Sequence, residues 1–214
     1  VTFVPHQKKS PVVFQFDLNE QKLIDVKDLK TLAGDGLAFA FSVAAGAANT
    51  AYIGAYGPEK TGQILQVTAT AKGMAVQALG EIKKTEGVFT LAATKSPDKL
   101  AGVLYPSNRF FTFDLKTKKS RVFEETALSK NSLFLGNHHH DREALLCKAL
   151  GTAPSGDVYG SLEQGKLFCY RLAANKIDTL KAALAGDSYR RVSRAWTFGS
   201  DGCLYGGTSV DGFF

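Results

Sequence analysis

The amino-acid sequence predicts an all-β protein built from four-stranded antiparallel sheets, and three features carry that expectation. A segment with large apolar residues two positions apart returns four times, about 50 residues from one copy to the next. A tyrosine in a short apolar stretch precedes the later copies. Clusters of Pro, Asp, Ser and Gly stand where tight turns would separate the strands.

The first feature begins at Phe14-Gln15-Phe16-Asp17-Leu18 and returns at Leu65-Gln66-Val67, Phe111-Thr112-Phe113-Asp114-Leu115 and Phe168-Cys169-Tyr170-Arg171-Leu172. Residues two apart in an extended chain fall on one face, so each copy reads as a strand with one apolar face. Polar residues ending in Lys then make a turn, and a further strand follows, as in Lys22–Val26 and Ser120–Phe123. The second feature is Tyr52, Tyr105, Tyr159 and Tyr205, each placed in the second strand of a unit. Turn signals precede three of them: Ser96-Pro97-Asp98, Pro154-Ser155-Gly156 and Ser200-Asp201-Gly202. Apolar runs upstream, at 38–43, 88–93, 144–149 and 195–198, supply the first strand. Each unit is thus a four-stranded meander, with boundaries near 1–36, 37–82, 83–126, 127–184 and 185–214, in a single domain. Such a sheet cannot bury both faces alone and must stack on copies of itself. Radial stacking of four-stranded sheets is a β-propeller, here complete or partial.

Composition agrees. Hydrophobic residues make up 44% and charged residues 21%, so a core can form without staples. The 21 Gly, 15 Phe and 7 Tyr favour short strands and turns. Residues 37–56 carry no charge over a length that could span a bilayer. Their many alanines, with Asn49 and Thr50, fit two strands and a turn instead, so no membrane span is expected. Cys147, Cys169 and Cys203 lack metal-ligand spacing and read mainly as buried free thiols.

The ends of the sequence fall inside the repeat. Nine residues separate Tyr159 from Phe168 and Tyr205 from Phe214, so Phe214 holds the repeat position of Phe14. Either the first strands complete the last unit in a ring of four, or the chain is a piece of a larger propeller. The second is the expectation, because a strand stopping on two phenylalanines leaves an edge unpaired. The chain starts at Val1 without a leader pattern, so a leader was removed or more chain precedes it.

Two stretches carry the resemblance to a family. Gly199-Ser200-Asp201-Gly202-Cys203-Leu204-Tyr205-Gly206-Gly207-Thr208 and Pro154-Ser155-Gly156-Asp157-Val158-Tyr159-Gly160 resemble repeats of PQQ-like or kelch-like bacterial propellers. The resemblance covers nearly the whole chain. The Trp-Asp dipeptide of WD40 repeats and the full Asp-box of sialidases are absent. Some propellers of this kind are polysaccharide lyases and glycosidases, which implies carbohydrate as one ligand class. An extracellular or periplasmic location is the expectation.

Candidate chemistry concentrates in two connections. His138-His139-His140-Asp141-Arg142 lies in the longest insertion; His138, His140 and Asp141 are of the types that ligate a transition metal. Tyr189-Arg190-Arg191-Val192-Ser193-Arg194 precedes the innermost strand of the last unit. Arginine forks suit carboxylates and phosphates, so Arg190 and Arg194 with Arg142, alongside His138 and His140, form the candidate ligand-binding set. The competing reading is a polar loop and blade-to-blade ion pairs. Asp17 and Asp114, at one repeat position, read as turn residues rather than catalytic acids. Trp196 and the repeated aromatics read as core.

No nucleotide or hydrolase motif occurs, and no cofactor is implied. The expected function is therefore a ligand- or partner-binding module without catalysis of its own. Its partner would be an acidic polysaccharide or a protein. The alternative is a carbohydrate-active enzyme, a lyase or glycosidase on an acidic glycan, with arginine neutralising the uronate and a His or Tyr base. Nucleic acid is a weaker candidate, resting only on the net charge of +6.

Overall fold

The computed structural model describes residues 11–29, 39–56, 61–84, 86–124, 147–162, 166–183 and 193–208. Their regular structure is β-strand, in five antiparallel sheets that follow chain order. The first is a hairpin, β1 (Val12–Asp17) and β2 (Lys22–Asp28). The first complete blade is β3 (Phe39–Ala45), β4 (Thr50–Tyr56), β5 (Gly62–Thr70) and β6 (Gly73–Glu81). The second is β7 (Gly87–Ala93), β8 (Lys99–Tyr105), β9 (Phe110–Asp114) and β10 (Lys119–Phe123). The third is β11 (Leu150–Thr152), β12 (Val158–Ser161), β13 (Lys166–Arg171) and β14 (Lys176–Ala183). A last hairpin joins β15 (Ser193–Phe198) to β16 (Leu204–Thr208). Each complete blade pairs its strands in sequence order. The expected all-β blades of four antiparallel strands are therefore present.

The uncharged run at 37–56 folds as β3, a turn and β4. No helix among the described residues is long and apolar enough to cross a membrane. One strand differs from its expected place: β11 begins at Leu150, after rather than within the apolar run at 144–149. The reason is Cys147, whose N–H donates to Asn108 Oδ1 at 3.1 Å while its carbonyl accepts from Thr90 Oγ1 at 2.6 Å. Those bonds tie residue 147 to the preceding blade instead of to a strand of its own.

The turns work as the repeat requires. Asp17 Oδ1 accepts the N–H groups of Asn19 and Glu20 at 2.8 and 3.0 Å. Asp114 Oδ1 accepts those of Lys116 and Thr117 at 3.0 and 2.7 Å. These bonds favour the carboxylate and hold both groups below the usual aspartate range, led by Glu20 N–H at Asp17 and by Thr117 N–H at Asp114. The turn then closes with a left-handed residue, Gln21, Lys118 or Asn175, at φ of 50, 55 and 51°. Each stands just before the lysine that opens the outer strand.

The core lies between the blades. Val13, Ile53, Leu65 and Met74 join the first hairpin to the first blade. Ile64, Leu79, Val88, Leu91, Leu100, Phe111 and Phe113 join the first blade to the second. Ala101, Val103, Phe110, Val158, Phe168 and Tyr170 join the second to the third. Phe110 sits 5.7 Å from Phe123, 5.9 Å from Phe168 and 5.1 Å from Tyr170, centroid to centroid. Each such pair adds roughly 0.5–1.5 kcal/mol beyond area burial. First strands contact first strands, β3 with β7, β7 with β11 and β11 with β15. They therefore form the line along which successive blades meet.

The tyrosine marker needs one correction. Tyr52 lies opposite Gln66 and Tyr159 opposite Cys169, the central residue of each third strand. In the second blade Ala101, opposite Thr112, holds that position. Tyr105 lies four residues later, at the end of β8, where its counterpart is Tyr56. A four-residue offset keeps a side chain on the same strand face, so spacing along the sequence does not separate the two positions.

Candidate binding face

Antiparallel pairing sends two kinds of connection to one end of every blade. These are the turns from second to third strand and the links from one blade to the next. The described part of that end contains 82–84, 86 and 105–109, where the chain leaves β6 and turns from β8 to β9.

A network of charges organises it. Glu86 is 7% exposed, and such a carboxylate costs several kcal/mol unless its charge and lone pairs are matched. Its Oε2 accepts from Ser107 Oγ at 2.6 Å and its Oε1 from Arg109 Nη1 at 2.7 Å. Arg109 Nε also meets Glu124 Oε2 at 3.0 Å, and Lys83 Nζ meets Glu124 Oε1 at 2.9 Å. Lys83 chiefly, with Arg109, holds the Glu124 carboxyl below the usual range. Two cations and two anions balance here, so Arg109 is committed to the protein rather than offered as an open fork.

Aromatic rings stand at the same end. Tyr56 and Tyr105 meet edge to face at 6.5 Å, and Phe89 lies 6.1 Å from Tyr105. Gly87 permits this approach, since a Cβ there would fall 2.2 Å from the Tyr56 ring. Burial, then the neighbouring Tyr105, raises the Tyr56 phenol, which stays protonated at neutral pH.

The long connection carrying the histidines is anchored at this end. It leaves after Glu124, which is bonded to Lys83 and Arg109, and re-enters at Cys147, which is bonded to Asn108. His138, His140, Asp141 and Arg142 lie in that connection, outside the described residues, as does Arg190 in the link from β14 to β15. Arg194 is a backbone member of β15; its side chain is outside the description. The described residues that flank the two candidate segments, Glu124 with Cys147 and β14 with β15, mark links from one blade to the next. Among the described residues no group of three His, Cys, Asp or Glu could hold a metal ion.

Other residues resolve as structural. Cys147 and Cys169 are buried free thiols, and burial pushes Cys147 up to about 12; Cys203 is exposed. Trp196 donates Nε1–H to the Ala149 carbonyl at 3.1 Å, and Phe198 meets Tyr159 at 5.9 Å. The Glu86 network was not legible in the sequence, where Lys83, Arg109 and Glu124 stand far apart and belong to no motif. The available signal was Glu86 itself, a lone carboxylate at the mouth of the apolar run Gly87–Ala93.

No family model matches the chain, and no curated protein matches it in sequence. Solved structures do resemble it. The β-propeller domain of Cps50 (Swd1) from Myceliophteria thermophila superposes with a TM-score of 0.61 at 12% identity, over 93% of this chain and 56% of that one. The extracellular domain assigned to a one component system of B. thetaiotaomicron gives 0.60 at 12% identity, over 94% and 24%. Hydrazine synthase of Kuenenia stuttgartiensis gives 0.56 at 12% identity, over 89% and 47%. The chain therefore spans between 24% and 56% of these three solved chains. At such identities the likeness shows the fold alone, which is that of a β-propeller.

Proposed function

We propose that the chain is a binding module whose recognition surface is the loop-bearing end, and that its ligand is an anionic polymer or acidic protein surface. The observation behind this reading is the Glu86–Ser107–Arg109–Glu124–Lys83 network. It neutralises its own charges and holds Glu124, after which the connection carrying His138–Arg142 begins. The cations proposed to meet a ligand are Arg142, Arg190 and Arg194, with His138 and His140 beside Arg142 in sequence. Guanidinium groups pair with carboxylates and phosphates in a two-pronged geometry that lysine cannot reproduce. In the same reading His138, His140 and Asp141 are the ligands offered to a transition metal; heat released on titrating zinc, and lost in His138→Ala/His140→Ala, tests that part.

The test of the whole is retention on an acidic-polysaccharide column. Arg190→Ala/Arg194→Ala is expected to elute at clearly lower salt than the parent, with unchanged thermal unfolding. Equal retention would contradict the proposal. Growth of ultraviolet absorbance from unsaturated uronate during incubation with the glycan would assign catalysis instead of binding.

A further inference from the structure

Three aromatic rings at the loop-bearing end stand apart from the core. Tyr56, Phe89 and Tyr105 are partly buried, and among the described residues none of them belongs to the clusters that hold the blades together. The rings that do belong, Phe110, Phe168 and Tyr170 among them, are 0% exposed. Packing between blades therefore does not account for the trio.

The backbone is shaped around it. Pairing of β7 with β8 sets Val88 opposite Leu104 and Thr90 opposite Val103, so Phe89 is the extra residue of a β-bulge. β7 is the edge strand of its blade, and a bulge on an edge strand turns a side chain out of the regular alternation. The pairing of β3 with β4 skips Phe41 in the same way, between Ala40 opposite Ala55 and Ser42 opposite Gly54. Gly54 lies two residues past Tyr52 and Val103 two past Ala101, so Phe41 and Phe89 hold one repeat position in adjoining blades. Only the backbone of Phe41 is described. Gly87, whose missing side chain seats the Tyr56 ring, completes the arrangement.

The rings meet in a corner. Phe89 is tilted 33° from Tyr105, and Tyr56 stands across Tyr105 at 88°. An aromatic face carries partial negative charge and favours C–H groups, which carry partial positive charge. A pyranose offers a rigid C–H face of that kind, with hydroxyls around its edge within reach of phenols. An acidic peptide offers carboxylates to arginine but no such face.

We propose that Tyr56, Phe89 and Tyr105 form a sugar-stacking platform and that the anionic ligand is a uronate-bearing glycan. This rests on the binding reading above, in which arginines meet the carboxylates; the trio meets the sugar rings that carry them. Different residues then recognise charge and ring, so the two can be lost separately.

Binding of the full chain to polygalacturonate and to polyglutamate tests this, since the second polymer has the carboxylates without the sugar. Tyr105→Ala is expected to weaken binding to polygalacturonate about tenfold and leave polyglutamate unchanged, while Tyr105→Phe keeps both. In the unsubstituted protein, magnetisation placed on aromatic protons is expected to transfer to the C–H protons of a galacturonate oligomer. No loss on either polymer, or equal loss on both from a variant that unfolds as the parent does, overturns the platform and leaves the arginine reading standing. A bound oligomer that receives no transfer overturns it as well, whatever the variants do. Binding to polyglutamate alone assigns an acidic protein surface instead. A parent that holds neither polymer contradicts the binding reading and the platform with it.

Discussion

Phe113 and Phe16 occupy the same position of the repeat, the second phenylalanine of Phe111-Thr112-Phe113 and Phe14-Gln15-Phe16, yet their surroundings differ completely. Phe113 is 0% exposed and Phe16 is 46% exposed. Their strands are alike in pattern, and both have an aspartate next that caps the following turn. What differs is the neighbour. Phe113 packs on Ile64 and Leu79 of the blade before it, whereas the described structure has no blade before β1. Burial here comes from stacking, not from the strand that carries the ring. Among the described residues, the middle blades enclose a core on both sides, whereas the first hairpin leaves Phe16, Leu18, Leu23 and Val26 exposed.

The largest expected effect is the loss of a middle ring. Phe113→Ala should cost about 3–5 kcal/mol, since it removes a fully buried aromatic and leaves a cavity. Phe16→Ala, at the same repeat position, should cost less than about 1 kcal/mol, because much of its ring already meets water. Paired urea denaturation curves measure both; equal costs would break the comparison.

The glycines should divide in the same way, with smaller effects. Gly102→Ala would bring a Cβ to 2.5 Å from the Phe111 ring and the Thr90 carbonyl. That clash should cost about 1–3 kcal/mol. Gly207→Ala meets no atom within 4 Å and should change stability by no more than about 0.5 kcal/mol. Thermal unfolding of the two variants checks the contrast.

Acid sharpens it at the seam between the first hairpin and the first blade. Asp25 Oδ2 accepts the Met74 N–H at 2.8 Å, and that bond, ahead of Lys27, holds its carboxyl below the usual aspartate range. A carboxyl depressed on folding contributes stability that is full above its unfolded value and is lost as pH falls through the folded one. Thermal stability should therefore drop as pH goes below about 4, and Asp25→Ala should lower the melting temperature at pH 7 while flattening that drop. An unchanged acid limb would contradict the assignment.

Thiol labelling is the smallest perturbation. Cys203 is exposed at the end hairpin, whereas Cys169 is buried in the third blade and Cys147 is buried where its segment meets the second. With Cys147 pushed up to about 12, iodoacetamide at pH 8 should modify Cys203 alone in the native protein and all three in urea. Mass spectrometry counts the adducts.

The fold was legible because alternation and turn chemistry are local. Phe14-x-Phe16 and Phe111-x-Phe113, each followed by an aspartate-led turn, carry the strand and its stop within a few residues. The true partner of each tyrosine was not legible, because Tyr105 and Ala101 share a face and only the hydrogen-bond register tells them apart. The candidate site was less legible still. Lys83 and Glu124 meet at 2.9 Å across 41 residues of sequence, and no local pattern marks a charge that will find such a partner. The arginines and histidines were visible as types, and their segments lie outside the described residues.

Hydrogen exchange tests the account's central claim most directly, since exchange reads local opening strand by strand. If stacking makes the core, amides of β8, β9 and β13 exchange slowest, while β1 and β16 exchange fastest when the chain is held dilute. Protection that is equal in β1 and β9 under those conditions would contradict it, because each hairpin would then be stable without a neighbouring blade.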